Sequence, residues 1–339
     1  MPNSMDSSPC RFAPVLLKWF AENGRDLPWR ATRDPYAIWL SEVILQQTRI
    51  QQGWSYWERF MQRFPTVQDL AAASEDEVLR LWQGLGYYSR ARNLHTAAQQ
   101  IVELGGFPHT LEEIKKLKGV GDYTAAAIGS IAFNLPVAVV DGNVYRVLSR
   151  YFAIDTPINT TEGKKLFSAL AQELLPVNEP SAYNQALMDF GALQCTPQSP
   201  RCMQCPLSES CVALCTGRVG LLPVKLKTVQ QKQRHMTYVY IRCQGYTAFR
   251  RRPAGDIWQG LWEPFLVAEH EVPLMPSVRL LRKNVKHVLT HRILLCDFYL
   301  WECTERPMLP NDYRWIPEQE LDQYAVPRLI EQLLESVSV

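Results

Sequence analysis

CTPQSPRCMQCPLSESC, residues 195–211, is the stretch on which the fold of this 339-residue chain turns. It sets Cys195, Cys202, Cys205 and Cys211 in the spacing C-x6-C-x2-C-x5-C, four thiols on one short segment with no histidine among them. Soft thiolate sets of this kind take iron–sulfur clusters or zinc. Zinc ribbons bring two C-x2-C knuckles and only one is present here, Cys202 with Cys205. The long first arm suits the girth of a [4Fe–4S] cube better. A set of unrelated buried thiols is the plain alternative.

Outward from that loop, length and a hydrophobic content of 47% suit two domains, each with a core of its own. No run of about eighteen apolar residues suggests a membrane span. Met1 to Arg11 has neither a secretory apolar core nor an arginine-rich amphipathic pattern, so no membrane partner is expected. Nine cysteines do not make a disulfide scaffold in a chain this long, and with a thiolate cluster they point to a reducing compartment. The net charge of +2 hides an asymmetry. From Ser210 to Gly255 there is no Asp or Glu, while Arg218, Lys225, Lys227, Lys232, Arg234, Arg242 and Arg250 to Arg252 all fall there. One-sided charge over such a length suggests a polyanionic partner, a solvated linker being the other reading.

Residues 10 to 215 read as helices joined by short turns. Asp34-Pro35 is a cap followed by a first-turn proline, opening a helix through about Gln52. Ser74 with Glu77 makes a capping box. Leu111–Leu117 and Tyr123–Phe133 form two helices joined by Lys118-Gly119-Val120-Gly121, and Asp141 or Asn143 starts another. Residues 216–235 are polar and basic, as a linker would be. Beyond them Met236–Cys243, Leu261–Ala268 and His287–Cys303 read as strands, and Val326–Ser336 as a closing helix.

Four places carry chemistry. Gly119-Val120-Gly121 frees the backbone for close approach to an anion at the start of a helix, as in a helix–hairpin–helix DNA contact, or is simply an interhelical turn. Asp141 is an N-cap whose helix favours the ionised form, and an ionised carboxylate suits a developing oxocarbenium ion. Glu42 shares a face with Ile38 and Leu45; among apolar neighbours its pKa rises, as a general acid requires, unless that face is a wet helix edge. Gln46-Gln47-Thr48 beside it offers amides and a hydroxyl to bases or phosphates. Gly84 to Arg92 combines flexible backbone, two tyrosines and two arginines. Such a loop wedges a ring into a base stack, or else packs ordinary core tyrosines.

With these strings in hand, the chain resembles the MutY family of adenine DNA glycosylases in the helix–hairpin–helix superfamily. The matching residues are Leu27-Pro28-Trp29-Arg30, Trp39-Leu40-Ser41-Glu42-Val43 through Thr48, the Gly84–Arg92 loop, Gly119–Gly121, Val140-Asp141-Gly142-Asn143-Val144, Asn184–Asp189 and the cysteine loop. The resemblance implies a mostly α glycosylase domain over 1–215 with one [4Fe–4S] cluster on 195–211. A linker at 216–235 and a smaller α+β Nudix-like domain over 236–339 complete the implied architecture.

It further implies base-excision repair of adenine mispaired with 8-oxoguanine or guanine in duplex DNA, by base flipping. Glu42 would protonate the adenine at N7 and Asp141 stabilise the sugar cation, with Tyr123 and Asn143 orienting the pair. Gln185, Leu27, Trp29 and Arg30 would bind the substrate. Gln47, Thr48 and Tyr87 would meet the strand opposite, and Gly119, Val120 and Gly121 the DNA backbone. Endonuclease III carries a Schiff-base lysine where this chain has Tyr123, so hydrolysis without strand cleavage is implied. The Nudix-like part lacks the acidic metal box and is expected to bind rather than hydrolyse. Its recognition loop, Leu289-Thr290-His291, keeps the hydroxyl and imidazole of the family's Phe-Ser-His and loses the ring. A pyrimidine glycosylase/lyase of the endonuclease III type and a non-enzymatic iron–sulfur DNA-binding sensor are the competing readings. Monomeric action is expected, since no heptad run suggests oligomerisation.

Overall fold

The computed structural model describes residues 9–46, 48–226, 231–267 and 277–337. The chain divides into two compact units, Met1–Gly53 with Gln100–Lys227, and Trp54–Gln99 with Thr228–Val339. Composition alone puts the change of domain within 216–235, and did not anticipate that 54–99 groups with the C-terminal residues.

The first unit is helical. Its main core gathers Phe12 and Leu16 of the helix Pro9–Asn23, Val147, Leu148 and Tyr151 of Gly142–Tyr151, and Tyr183, Leu187 and Phe190 of Pro180–Leu193. Spacings of three, four and seven place each set on one helix face. A buried side chain of this size contributes roughly 1.5–3 kcal/mol. A smaller core of Ile38, Ala126, Ala127, Ile131 and Val139 packs Pro35–Leu45 against Asp122–Phe133. The run Ala125-Ala126-Ala127 lets these two helices approach closely.

Asp34 caps Pro35–Leu45 by accepting from the Tyr36 amide, as the sequence predicts, but the helix stops at Leu45 rather than Gln52. Gln46 leaves helical geometry with ψ 111°, and a new helix begins at Ile50. The first arm of the hairpin is likewise shorter than expected, a single turn Leu111–Ile114 capped by Thr110. Gly119 takes φ +77° and Gly121 is the N-cap of Asp122–Phe133.

In the second unit, Thr66 and Asp69 make a full reciprocal capping box before Val67–Ala72. Ser74 caps Glu75–Trp82 through the Glu77 amide, at 3.2 Å. The sheet comprises β1 (Lys232–Cys243), β2 (Tyr246–Arg251), β3 (Trp262–Val267), β4 (Val278–Val288), β5 (Arg292–Cys303) and β6 (Tyr313–Pro317). Their order is β4-β5-β1-β3-β2-β6, with β1 and β5 parallel and the other neighbours antiparallel. The run His287–Cys303, read as one strand, is broken by a turn at 289–291 into the ends of β4 and β5. Strand β2 was not foreseen; it follows the tight turn Gln244-Gly245, both residues at positive φ (51° and 79°), as a two-residue hairpin requires. Met236, Tyr238 and Tyr240 on β1 face the helix Arg328–Val337 through Leu329, Ile330 and Leu333, while Val239 and Ile241 fill the opposite face.

The basic stretch read as a polyanion contact is largely consumed within the fold. Arg234 pairs with Asp256, Arg242 with Glu318, Arg250 with Glu263 and Asp312, Arg251 with Glu75, Arg252 with Asp256 and Glu263, and Arg218 with Asp155. Asp256 and Glu263 lie just past the acid-free stretch, whereas Glu75, Asp155, Asp312 and Glu318 come from 60 or more residues away, beyond the reach of a local charge count.

Candidate active site

A pocket of about 610 Å³ opens in the first unit, and Leu27, Trp29, Arg30, Glu42, Thr48, Tyr123, Asp141, Asn143 and Gln185 all line it. Residues from four separate matched strings, with Tyr123 beside them, thus meet in one place. Gln47 lies outside the described residues.

Glu42 projects from the middle of Pro35–Leu45, and the small core beneath it brings Tyr123, in the first turn of its helix, within reach. The Tyr123 hydroxyl donates to Glu42 Oε2 at 2.7 Å. Burial lifts the Glu42 carboxyl above its ordinary value, against the hydrogen bond from Tyr123; the nearby Asp141 raises it further and Arg30 pulls it back. Burial and the neighbouring carboxylates hold the Tyr123 phenol far above its own range, so it remains a donor.

Asp141 caps Gly142–Tyr151. It accepts from the amides of Asn143 and Val144, both at 2.8 Å, and from Asn143 Nδ2 at 2.7 Å. The expectation that the helix start would leave its anion favoured is corrected here: burial outweighs the Val144 and Asn143 bonds and the Arg146 charge, and the carboxyl is raised. Between the two acids the donors are unequal. Asp141 accepts from three N–H groups and Glu42 from one hydroxyl, so of the two carboxylates that of Asp141 is the better stabilised as an anion.

One turn further along the same helix, Arg146 donates to Asn143 Oδ1 at 2.7 Å, to the Gly191 carbonyl at 2.6 Å and to the Cys195 carbonyl at 2.8 Å. Arg150 reaches the carbonyls of Thr196 (2.7 Å) and Pro197 (3.1 Å) and lies 3.5 Å from Cys195 Sγ. Two buried arginines therefore fasten the cysteine loop to the helix that carries Asp141. Cys195, Cys202, Cys205 and Cys211 rim one cavity with Arg150. Among the described residues no group of three or more Cys, His, Asp or Glu side chains is placed to hold a single metal ion. Burial pushes the Cys205 thiol up to about 11. Four half-buried soft donors beside a buried guanidinium fit a polynuclear cluster that draws off their protons.

Sequence reasoning missed two residues. Asp189, fully buried, accepts from both Arg30 nitrogens (2.7 and 2.8 Å), from the Arg25 amide (3.0 Å) and from the Arg25 side chain. Arg30, expected to bind substrate, thus lines the pocket with its guanidinium already engaged, and holds the Leu27–Arg30 wall in place. Gly191 is the other: a Cβ there would stand 2.6 Å from Asn143 Cβ. Only glycine lets Pro180–Leu193 pass this close to the start of the Asp141 helix. A hydrophobic helix ending in Phe-Gly-Ala was the available signal for Gly191; for Asp189 there was none beyond its place in a matched string. Gln185 Nε2 donates to the Ser181 carbonyl (3.3 Å) and hydroxyl (3.2 Å).

Tyr87, Thr290 and His291 gather elsewhere, around a cavity of about 740 Å³ in the second unit. The Tyr87 hydroxyl and Thr290 Oγ1 are 2.7 Å apart. The turn beneath Thr290 is closed by Leu289 N to Arg292 O at 2.8 Å, and Lys232 N donates to the His291 carbonyl at 3.0 Å. Gly119, Val120 and Gly121 form the interhelical turn described above, in neither cavity.

Family comparisons agree with this geometry. Residues 40–176 match the HhH-GPD superfamily base excision DNA repair protein, 195–211 the iron-sulfur binding domain of endonuclease III, and 237–336 a NUDIX domain. An adenine DNA glycosylase of Buchnera aphidicola (subsp. Baizongia pistaciae) is 36% identical over 256 residues, spanning 74% of this chain and 72% of its own length. The chain belongs to the adenine DNA glycosylase family. The adenine DNA glycosylase of Homo sapiens is 48% identical over 213 residues, 60% of this chain but only 39% of the human protein, so this chain spans less than half of that relative. Among solved structures, a thermostable thymine-DNA glycosylase has a TM-score of 0.57 at 31% identity, covering 61% of this chain and 97% of that one. An endonuclease III–DNA complex, at 23% identity and TM-score 0.53 over 62% of this chain and 98% of that one, shares the fold.

Proposed function

We propose that this chain hydrolyses the N-glycosidic bond of adenine in duplex DNA, the adenine standing opposite 8-oxoguanine or guanine. The observation that carries the reading is the convergence of Glu42 and Asp141 on one pocket with unequal partners. Glu42, lifted by burial and steadied by Tyr123, donates its proton to N7 of an adenine turned out of the stack, making the base a neutral leaving group. Asp141, fixed by three N–H donors and held by no bond to Glu42, meets the positive charge that then develops at C1′. Water attacks C1′, and Glu42, now ionised, takes the released proton.

Gln185 and the Leu27–Arg30 wall supply the polar and apolar surfaces that hold the base. Tyr123 offers a phenol where a Schiff-base enzyme needs an amine, which supports base removal without strand scission. Cys195, Cys202, Cys205 and Cys211 would hold one [4Fe–4S] cluster, whose contribution is to brace the loop that Arg146 and Arg150 tie to the Asp141 helix. The second-unit cavity, with Tyr87, Thr290 and His291, would read the base opposite the adenine.

The test is a duplex with one A:8-oxoguanine pair, incubated with protein and then with hot alkali. A nick at the adenine that appears only after alkali supports the reading, as does its loss in Glu42→Gln. A nick without alkali at the rate of adenine release, or full-speed cleavage by Asp141→Asn, overturns it.

A further inference from the structure

We propose that Trp258 is a specificity-determining residue of the second-unit cavity, the ring against which an oxidised purine opposite the target adenine packs. The inference rests on the reading above that this cavity reads the opposite base.

Tyr87 and Trp258 hold left-handed backbone conformations, φ 47° and 59°, and both line the same cavity. Bulky aromatic residues rarely adopt this region, and where they do the surrounding structure over-determines them, most often at binding sites. The Trp258 hairpin meets that description. Arg252 N donates to the Leu261 carbonyl at 2.8 Å, Gly260 N to the Arg252 carbonyl at 3.0 Å, and Leu261 N to the Trp258 carbonyl at 3.0 Å. Arg252 Nε holds the Ile257 carbonyl at 2.8 Å, and Arg92 holds that of Gln259. Asp256 pins the base of the hairpin, accepting from Arg234 (2.7 Å), Arg252 (2.7 Å), Arg292 (3.2 Å) and the Ile257 amide (2.7 Å). Arg292 directly follows the Thr290-His291 turn, so a single carboxylate fixes both the hairpin and that turn.

The Trp258 ring stands edge-to-face with His287 at 5.7 Å, with the Arg252 guanidinium 5.8 Å from its centroid. It is half-buried, leaving area for a ligand, while the hydroxyls of Tyr87 and Thr290 offer hydrogen bonds in the same cavity. An aromatic surface beside fixed hydroxyls suits a planar base bearing an extra C8 carbonyl and N7–H. Packing alone against the neighbouring core would account for a large residue here, but not for a strained one facing the cavity of Tyr87.

The experiment compares dissociation constants for two duplexes, each with a non-cleavable adenosine analogue, one opposite 8-oxoguanine and one opposite guanine. Trp258→Asn removes the ring and tolerates positive φ; Trp258→Gly provides a second ringless protein with no backbone cost, and Trp258→Phe restores a ring. The ratio of the two constants should fall by about tenfold or more in both ringless variants and largely recover in Trp258→Phe. A ratio unchanged in either ringless variant that melts cooperatively, including equal weakening on both duplexes, overturns the proposal alone. A wild-type chain with no preference sinks the functional reading of the cavity, and the proposal with it.

Discussion

Tyr123→Phe removes the hydroxyl that donates to Glu42 Oε2 at 2.7 Å and leaves the ring in place. A hydrogen bond to a charged group is worth about 1.5–3 kcal/mol. Losing a bond of that size, which favours the carboxylate, raises the Glu42 titration further above its ordinary value. The sign follows from the role. If protonated Glu42 is the acid, adenine release falls as pH rises through its pKa, and in Tyr123→Phe the alkaline limb moves to higher pH. The assay is single-turnover adenine release from an A:8-oxoguanine duplex across pH, with Glu42→Gln as the variant that should release no adenine at any pH. The same shift acts on stability: a carboxyl raised by folding stabilises the fold below its unfolded value and loses that contribution as pH rises through the folded one, so Tyr123→Phe should lose more on going to alkaline pH. An alkaline limb that stays put, or moves down, refutes the assignment of Glu42 as acid.

Gly191→Ala should push Asn143 aside, lowering the single-turnover rate by about a hundredfold while costing about 1–3 kcal/mol in a urea melt. A rate near wild type would show that Asn143 does not position Asp141. At Asp189, burial raises the carboxyl but Arg30 and Arg25 outweigh it and hold it below its ordinary value. Its contribution is present above the unfolded value and lost as pH falls through the folded one; Asp189→Asn should cost about 3 kcal/mol at neutral pH, and this difference should shrink in acid. An equal difference at both pH values would contradict the ion-pair account. Cys205→Ala should purify with less iron than the wild type and be cut faster by protease within 195–211, measured by iron assay and timed digestion; wild-type iron content would remove Cys205 from the ligand set.

Local chemistry was the readable part of this sequence. The Asp34-Pro35 cap, the Asp141 helix start and the C-x6-C-x2-C-x5-C loop each depend on neighbours a few residues away, and each stands where short-range rules put it. Glu42 and Asp141 stand out on local grounds, an apolar helix face and a helix cap, but their pairing and the roles of Tyr123 and Asn143 come from the family resemblance, since nothing local ties residues 42, 123 and 141 together. What stayed hidden depends on partners far along the chain. Asp189 meets Arg25 across 164 residues, Gly191 owes its necessity to a helix it merely passes, and Arg218, Arg242 and Arg251 find their acids 60 or more residues away. Strand β2 carries no strong hairpin signal, because Gln244 stands where Asn, Asp or Gly would mark a two-residue turn.

The grouping of 54–99 with the C-terminal sheet bears on how this protein can be dissected. The polypeptide passes from one unit to the other three times, at 53/54, 99/100 and 227/228. No single cut releases a self-sufficient half. A truncation ending near 226 would strip Glu75, Gln83 and Arg92 of Arg251, Glu331 and the Gln259 carbonyl. A shortened protein of that kind, used to ask what the C-terminal sheet contributes, would report the loosening of the Gly84–Arg92 loop along with the loss of the sheet. Point substitutions within the intact chain separate the two effects.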